Sequence, residues 1–221
     1  MRRFFVIALL IAWIDCSAQV GVGIMPGGFM PFKKTLTRPS NAFESDVMVQ
    51  LALAKWAFQI RIPVMTKSIT VFEQYTPLGN QNIPPVESRY NLYDVKLEAA
   101  YYIPNTQPDD HGPWGWFLGA SVIPFVQIPL EKRVSPLDTQ YFEITNRWNT
   151  QVGGGLFTGV VYNGPGLPKN VVVNLRVNGM IYPNIEINNY DFNQFGNAAL
   201  RRGYDNMVAI SGNVVFLYYF R

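Results

Sequence analysis

The C-terminal stretch Met207 to Arg221 alternates with a period of two. Val208, Ile210, Gly212, Val214, Phe216, Tyr218 and Phe220 fall on one apolar, largely aromatic side, and Ala209, Ser211, Asn213, Val215, Leu217, Tyr219 and Arg221 on a more polar one. Successive side chains leave opposite faces of a pleated chain, so this pattern predicts a β-strand. The same period recurs upstream. Tyr90 to Ile103 sets Tyr93, Val95, Leu97, Ala99, Tyr101 and Ile103 against Asp94, Lys96 and Glu98. Asn170 to Tyr182 sets Val171, Val173, Leu175, Val177 and Ile181 against Asn174, Arg176 and Asn178. Gly115–Ile128 and Trp148–Tyr162 alternate likewise, the latter with Gly153, Gly155 and Gly159 on its less apolar side. Gln19–Met25 and Thr66–Tyr75 are predicted as shorter strands. Asp46–Ile62 is predicted as one strand whose phase flips near Ala54, the signature of a β-bulge.

This makes eight strands. Their connections read alternately long and short: Pro26–Ser45, Pro63, Thr76–Ser88, Asn105–Pro113, Pro129–Arg147, Asn163–Lys169 and Pro183–Asn206. An even strand count with alternating loop lengths predicts an all-β fold, an eight-stranded antiparallel up-and-down transmembrane β-barrel. In lipid the apolar stripe must face outward and the polar stripe inward, and closure removes the unpaired edges that hydrocarbon cannot satisfy. The expected lumen network is Lys55, Gln59, Arg61, Asp94, Lys96, Glu98, Asn174, Arg176, Asn178 and Arg221. An eight-stranded barrel is only wide enough for side chains to fill, so the lumen is expected to be plugged. Gly153, Gly155 and Gly159 would then make room for Arg or Tyr side chains from opposite strands. Trp116, Trp148, Tyr162, Tyr182, Tyr218 and Phe220 are expected in aromatic girdles at the two membrane–water interfaces.

Composition sharpens this picture. Of 221 residues, 48% are hydrophobic and only 15% charged, the latter well under the roughly 25% of an average soluble domain. Arg2, Arg3, the apolar run Phe4–Ile14 and the small residues before Gln19 read as a signal peptide. Residues 1–18 are therefore expected to be removed after Ala18, leaving 19–221 as the barrel domain. Trp13 and Asp15 do not fit a lipidation signal around Cys16, and the mature chain then holds no cysteine for disulfides, thiolate metal sites or nucleophilic catalysis. A net charge of +3 without a basic run does not indicate nucleic acid. The single histidine, His111, sits in Asp109-Asp110-His111-Gly112, a sequence of turn formers. No metal, cofactor or catalytic residue is expected, and the chain is not expected to be an enzyme.

The aromatic closing strand and the eight-strand pattern make the chain similar to the small outer-membrane barrels of the OmpA/OmpX type, in Bacteroidetes-like Gram-negative bacteria. The resemblance implies an outer-membrane location, contact with membrane lipid and lipopolysaccharide, and a non-enzymatic role in the cell envelope. That role would be exerted through the outer loops, as adhesion, partner binding or envelope integrity, with a protein partner at those loops. The chain departs from the barrel-shaped acyl-transfer enzymes and omptin-type proteases, which need a histidine toward the outer side. The alternatives are a narrow channel for small solutes and a soluble, exported, lipocalin-like carrier. The carrier would need an apolar interior, whereas Asp94, Lys96, Glu98 and Arg176 lie opposite the apolar stripe.

Overall fold

The computed structural model describes residues 19–32, 42–53, 55–65, 67–73, 75–76, 86–103, 113–129, 148–192 and 198–220. The regular elements among them are strands: β1 Gln19–Phe32, β2 Ala42–Leu53, β3 Trp56–Pro63, β4 Lys67–Glu73, β5 Tyr75–Thr76, β6 Val86–Asp94, β7 Lys96–Tyr102, β8 Trp114–Pro129, β9 Asn149–Tyr162, β10 Val171–Phe192 and β11 Ala198–Phe220. Antiparallel pairing passes through β1, β2, β3, β7, β8, β9, β10 and β11 and returns to β1. The closing ladder runs from Val20↔Phe220 to Phe32↔Val208. β4 prolongs β3, and β6 prolongs β7, so the segments form the eight staves of a closed barrel. The ends of β2 and β3 at Leu53 and Trp56, of β7 and β8 at Tyr102 and Trp114, and of β9 and β10 at Tyr162 and Val171 lie at the same end as Gln19 and Phe220, the terminal rim. The ends of β1 and β2 at Phe32 and Ala42, of β8 and β9 at Pro129 and Asn149, and of β10 and β11 at Phe192 and Ala198 mark the other end, the loop rim.

The strand count matches the expectation, but several boundaries move: β1 runs past Met25 to Phe32 and β2 begins at Ala42, both inside the expected connection Pro26–Ser45. Asp46–Ile62 is not one bulged strand: Leu53 pairs with Trp56, so the chain reverses through Ala54 and Lys55. Nor does Pro63 end a strand. Arg61 pairs with Lys96 and Lys67 with Leu92, so between these pairs five residues of one stave lie against three of the other. The two extra residues fit at Val64 and Met65, whose amides both donate to the Ser45 carbonyl, at 2.8 and 3.4 Å. The break at Val95 has a different cause. Its amide donates to the Pro124 carbonyl at 3.0 Å, but a proline has no N–H to return the bond.

The loop-length rhythm also changes. The stretch expected as a long loop, Pro183–Asn206, is mostly strand, and only 193–197 separates β10 from β11. These two strands pair far beyond the rest of the wall. β9 leaves β10 at Gly154↔Ile181, and β1 leaves β11 at Phe32↔Val208. Pairing of β10 with β11 shifts between Tyr182 and Ile185 and then continues to Phe192↔Ala198. Asn184 sits at this shift with φ 52°, a left-handed backbone that Asn tolerates better than most residues.

The wall separates side chains by parity. Along β11, Met207, Ala209, Ser211, Asn213, Val215 and Leu217 are buried, while Val208, Ile210, Phe216, Tyr218 and Phe220 are exposed. Leu156 on β9 is 71% exposed and Leu175 on β10 52%, whereas Arg61 and Lys67 are fully buried. This is the inverse of a soluble carrier. Leu175→Arg, near mid-height of the wall, is expected to lower the folding free energy in bilayers by about 2–4 kcal/mol, and Phe220→Arg at the rim by about 0–1 kcal/mol. Urea titration of refolding into lipid vesicles checks the contrast.

Candidate functional site

The interior is layered. Toward the loop rim lies an apolar cluster including Phe29, Leu92, Ile123, Phe125 and Tyr182, and toward the terminal rim another with Ala57, Phe117, Phe157, Val172 and Leu217. Between them sit the charges. Among the described residues, four buried carboxylates, Glu44, Asp46, Asp94 and Glu98, face four buried cations, Arg61, Lys67, Lys96 and Arg176. Removing charge from water is tolerated only when it is paired and hydrogen-bonded, and here the signs balance.

Arg61 is the hub. Its Nη2 donates to Asp46 Oδ2 at 2.6 Å and Glu44 Oε1 at 3.1 Å, and its Nη1 to Glu98 Oε1 at 2.9 Å. Lys96 Nζ donates to Glu44 Oε1 at 2.6 Å and Asp46 Oδ2 at 3.1 Å. Lys67 Nζ meets both oxygens of Asp94 at 2.9 Å, and the Tyr182 hydroxyl donates to Asp94 Oδ2 at 2.7 Å. Arg176 grips Glu98 with two bonds of 2.6 and 2.7 Å, the strong planar fork–fork geometry of guanidinium with carboxylate. Its Nη1 also reaches Gln59 Oε1 at 3.0 Å, on the stave directly opposite, so the lumen is bridged from wall to wall. Arg176 Nε donates to Asn178, whose amide donates to Ser211 Oγ at 2.9 Å and Asn213 Oδ1 at 2.7 Å. The Phe157 ring lies 3.6 Å beneath the Arg176 guanidinium, adding a cation–π contact. A polar branch descends through Gln59 and Gln50 to the Tyr219 hydroxyl, with bonds of 2.8 and 2.6 Å.

Of the residues assigned to the lumen from sequence, Gln59, Arg61, Asp94, Lys96, Glu98, Arg176 and Asn178 meet in this network, and Asn174 is buried in the same wall. Lys55 stands apart. Because the chain reverses between the paired Leu53 and Trp56 and does not bulge, its side chain is exposed at the terminal rim. Arg221, His111 and the signal segment 1–18 lie outside the described residues. Glu44, Asp46 and Lys67 were not anticipated. Asp46 opens the predicted strand Asp46–Ile62 and shares the inward parity of Met48 and Gln50, Glu44 carries that parity into the stretch expected as a connection, and Lys67 begins a segment of weak alternation.

The glycines of β9 make room for neighbours other than those expected. A Cβ on Gly159 would lie 2.6 Å from the Phe117 ring, and one on Gly155 2.8 Å from Ser121 Oγ and 3.2 Å from Met180. Adjacent staves, not Arg or Tyr from across the barrel, occupy the space. Trp116, Trp148, Tyr218 and Phe220 are exposed on the outer wall, and Tyr162 is partly so, its ring 4.6 Å from Trp114. Tyr182 differs: it is 0% exposed. It shares parity with Asn174, Arg176 and Asn178, so it points into the lumen and joins Asp94.

The closed ring of eight staves, greasy outside and ionic inside, can now be set beside known structures. The chain is similar to the crystal structure of Neisserial surface protein A (NspA), with 12% identity, a TM-score of 0.51, and coverage of 92% of this chain and 97% of that one. The fold is that of a small outer-membrane β-barrel. The outer membrane protein OprG from Pseudomonas aeruginosa is similar at 12% identity and a TM-score of 0.47, covering 92% and 97%. Ail, the attachment invasion locus protein of Yersinia pestis, solved in complex with the heparin analogue sucrose octasulfate, is similar at 9% identity and a TM-score of 0.39, with the same coverage. No protein-family model and no curated protein matches the sequence.

Among the described residues, no group of three or more metal-ligating side chains is placed to hold an ion. What the buried cluster does chemically is neutralise itself. Arg61→Ala takes from Glu44, Asp46 and Glu98 the one cation that joins all three and is expected to cost about 3–5 kcal/mol. Tyr182→Phe removes one buried hydrogen bond to Asp94 and is expected to cost about 1–3 kcal/mol. Chemical denaturation of the refolded barrel in bilayers, followed by tryptophan fluorescence, ranks the two.

Proposed function

We propose that this chain is a non-enzymatic outer-membrane protein of a Gram-negative cell. Residues 1–18 serve as its export signal, and 19–221 form a barrel with a closed lumen that acts through its loop rim in adhesion or partner binding. Lipid, and lipopolysaccharide toward the loop rim, surround the wall. The inverted polarity of the wall and the fold it shares with NspA support the location. The rings of Trp56, Trp114, Trp116, Tyr218 and Phe220, exposed near the terminal rim, suit a membrane–water interface. The Gln59–Arg176 bridge across the axis favours a plug over the channel reading.

One observation carries the role at the loop rim: β10 and β11 stay paired with each other beyond the last pairs they make with β9 and β1. From Ile185↔Asp205 to Phe192↔Ala198 this ribbon continues past the last pairs of β10 with β9 and of β11 with β1, about 25 Å at ~3.3 Å per residue, its base tied to the wall where Glu186 exchanges hydrogen bonds of 2.8 and 3.0 Å with the Gln127 side chain. A two-stranded ribbon leaves outer edges of unpaired N–H and C=O groups, a template for an added strand. The chain already uses one such edge, where β5 pairs in parallel with β10 at Tyr190↔Tyr75 and Asp191↔Thr76. A partner that contributes an extended segment would extend the same sheet.

Deletion of residues 187–203 tests this reading. Cells carrying the shortened protein are expected to bind host-cell monolayers several-fold less, while the barrel keeps its shift in gel mobility between boiled and unboiled samples. Unchanged binding would remove the ribbon from the function. In planar bilayers the intact protein is expected to show no steady open-pore current, and a stable conductance would favour the channel.

A further inference from the structure

Counted around the ring, the stave of β3 and β4 and the stave of β10 are the third and seventh of eight, so they face each other across the lumen. At the loop rim they meet. β4 ends at Glu73, β5 begins at Tyr75, and Tyr75 and Thr76 pair in parallel with Tyr190 and Asp191 of β10. Paired strands lie ~4.8 Å apart, so backbone from opposite walls comes together over the mouth of the barrel.

The β10 edge that β5 meets is held at its base as well. Glu186 donates its amide to Gln127 Oε1 at 2.8 Å, and its carbonyl accepts from Gln127 Nε2 at 3.0 Å. Reaching from β8 past β9, a carboxamide side chain thus makes the pair of bonds that a neighbouring strand would make, above the last β9 pair at Gly154↔Ile181. Asn149 Nδ2 adds a bond of 2.7 Å to the Asn184 carbonyl. Gln127 is buried, so its clasp is shielded from water. β5 makes the weaker of the two contacts. Its ladder is two pairs long, and parallel pairing is slightly less stable per residue than antiparallel.

We infer that β5 is an autoinhibitory strap: it occupies the β10 edge that an extended segment of a partner protein would take, and docking there displaces it. This inference rests on the strand-docking role proposed above and names the edge at which docking happens. β5 itself shows what the edge accepts, an extended backbone held by pairing, and in such recognition the main-chain hydrogen bonds supply the affinity. Because β5 is tethered to the same barrel, its effective concentration at the edge is high. A partner strand overcomes that advantage by length, since it pairs with more of β10 than the two residues β5 covers. The Gln127 clasp stays in place through the exchange and keeps the ribbon seated at Ile185, which is buried at its base.

The test locks and releases the strap in the whole barrel. Thr76→Cys with Asp191→Cys joins two paired positions, and the same protein is read before and after reduction, so it is its own control for folding. The two thiols are expected to form a disulfide. Cells carrying the oxidised form are expected to bind host-cell monolayers several-fold less than the unmodified protein, and to recover when the bond is reduced. Tyr75→Pro with Thr76→Pro removes both backbone donors of β5. This variant is expected to raise binding several-fold and to speed backbone hydrogen exchange over 187–192, with the gel-mobility shift unchanged. The inference alone is overturned if the thiols do not join, or if exchange in the proline variant is unchanged. Equal binding by the oxidised and reduced forms, with deletion of 187–203 still lowering it, has the same meaning. Unchanged binding on that deletion is a different failure: it removes the docking role, and the strap's inhibition with it.

Discussion

Every backbone N–H and C=O that enters hydrocarbon must find its partner within the protein, and the β1–β11 ladder is where this chain meets that requirement. Seven of the junctions between staves join segments near one another in sequence. The eighth, from Val20↔Phe220 to Phe32↔Val208, joins the two ends. Without it, two full-length edges would stand open in lipid, each group costing several kcal/mol. The polarity of the wall follows from the closure. Once the sheet is a cylinder, one face must meet lipid and the other is enclosed, so the usual sorting of residues is turned inside out.

Enclosure then sets the terms for the interior. Eight staves leave a core too narrow for bulk water beside long side chains, so charge placed there has to be met by charge. Arg61 shows how this is done. One guanidinium spans carboxylates from β2 and β7, and Arg176 and Lys67 extend the chain of contacts to β10 and β6. Apolar clusters above and below keep the network from solvent. The network is therefore the keystone of the barrel's packed interior.

Much of this was legible because a barrel wall has only two sides, so parity alone assigns a residue inward or outward. It placed Asp94, Lys96 and Glu98 opposite Val95 and Leu97, and Val208 and Phe216 opposite Ser211 and Asn213. Parity also explains the misreadings. A two-residue hairpin and a one-residue bulge both flip the phase, so Leu53 to Trp56 has the same pattern either way. Ala54–Lys55 lacks the Asn-Gly or Asp-Gly chemistry that would have marked the turn. Tyr182 was assigned by its chemistry, as a girdle aromatic, when its parity with Arg176 already pointed inward. Glu44 was hidden because Pro26–Ser45 was read as a connection, whereas β1 continues to Phe32 and β2 begins at Ala42. Which charges would meet across the lumen was not legible at all, because that depends on the stagger between staves and not on alternation.

The seam has a further consequence for how the molecule comes into being. Its contacts join residues about two hundred positions apart, close to the largest sequence separation the chain allows. Loop-closure entropy must be met before such contacts form. No arrangement of fewer staves can seal itself, so sealing is the last event of assembly and comes only after the C-terminal segment has arrived. A chain interrupted before β11 would not yield a smaller version of the molecule but an unfinished one, with both margins open to whatever strand comes first.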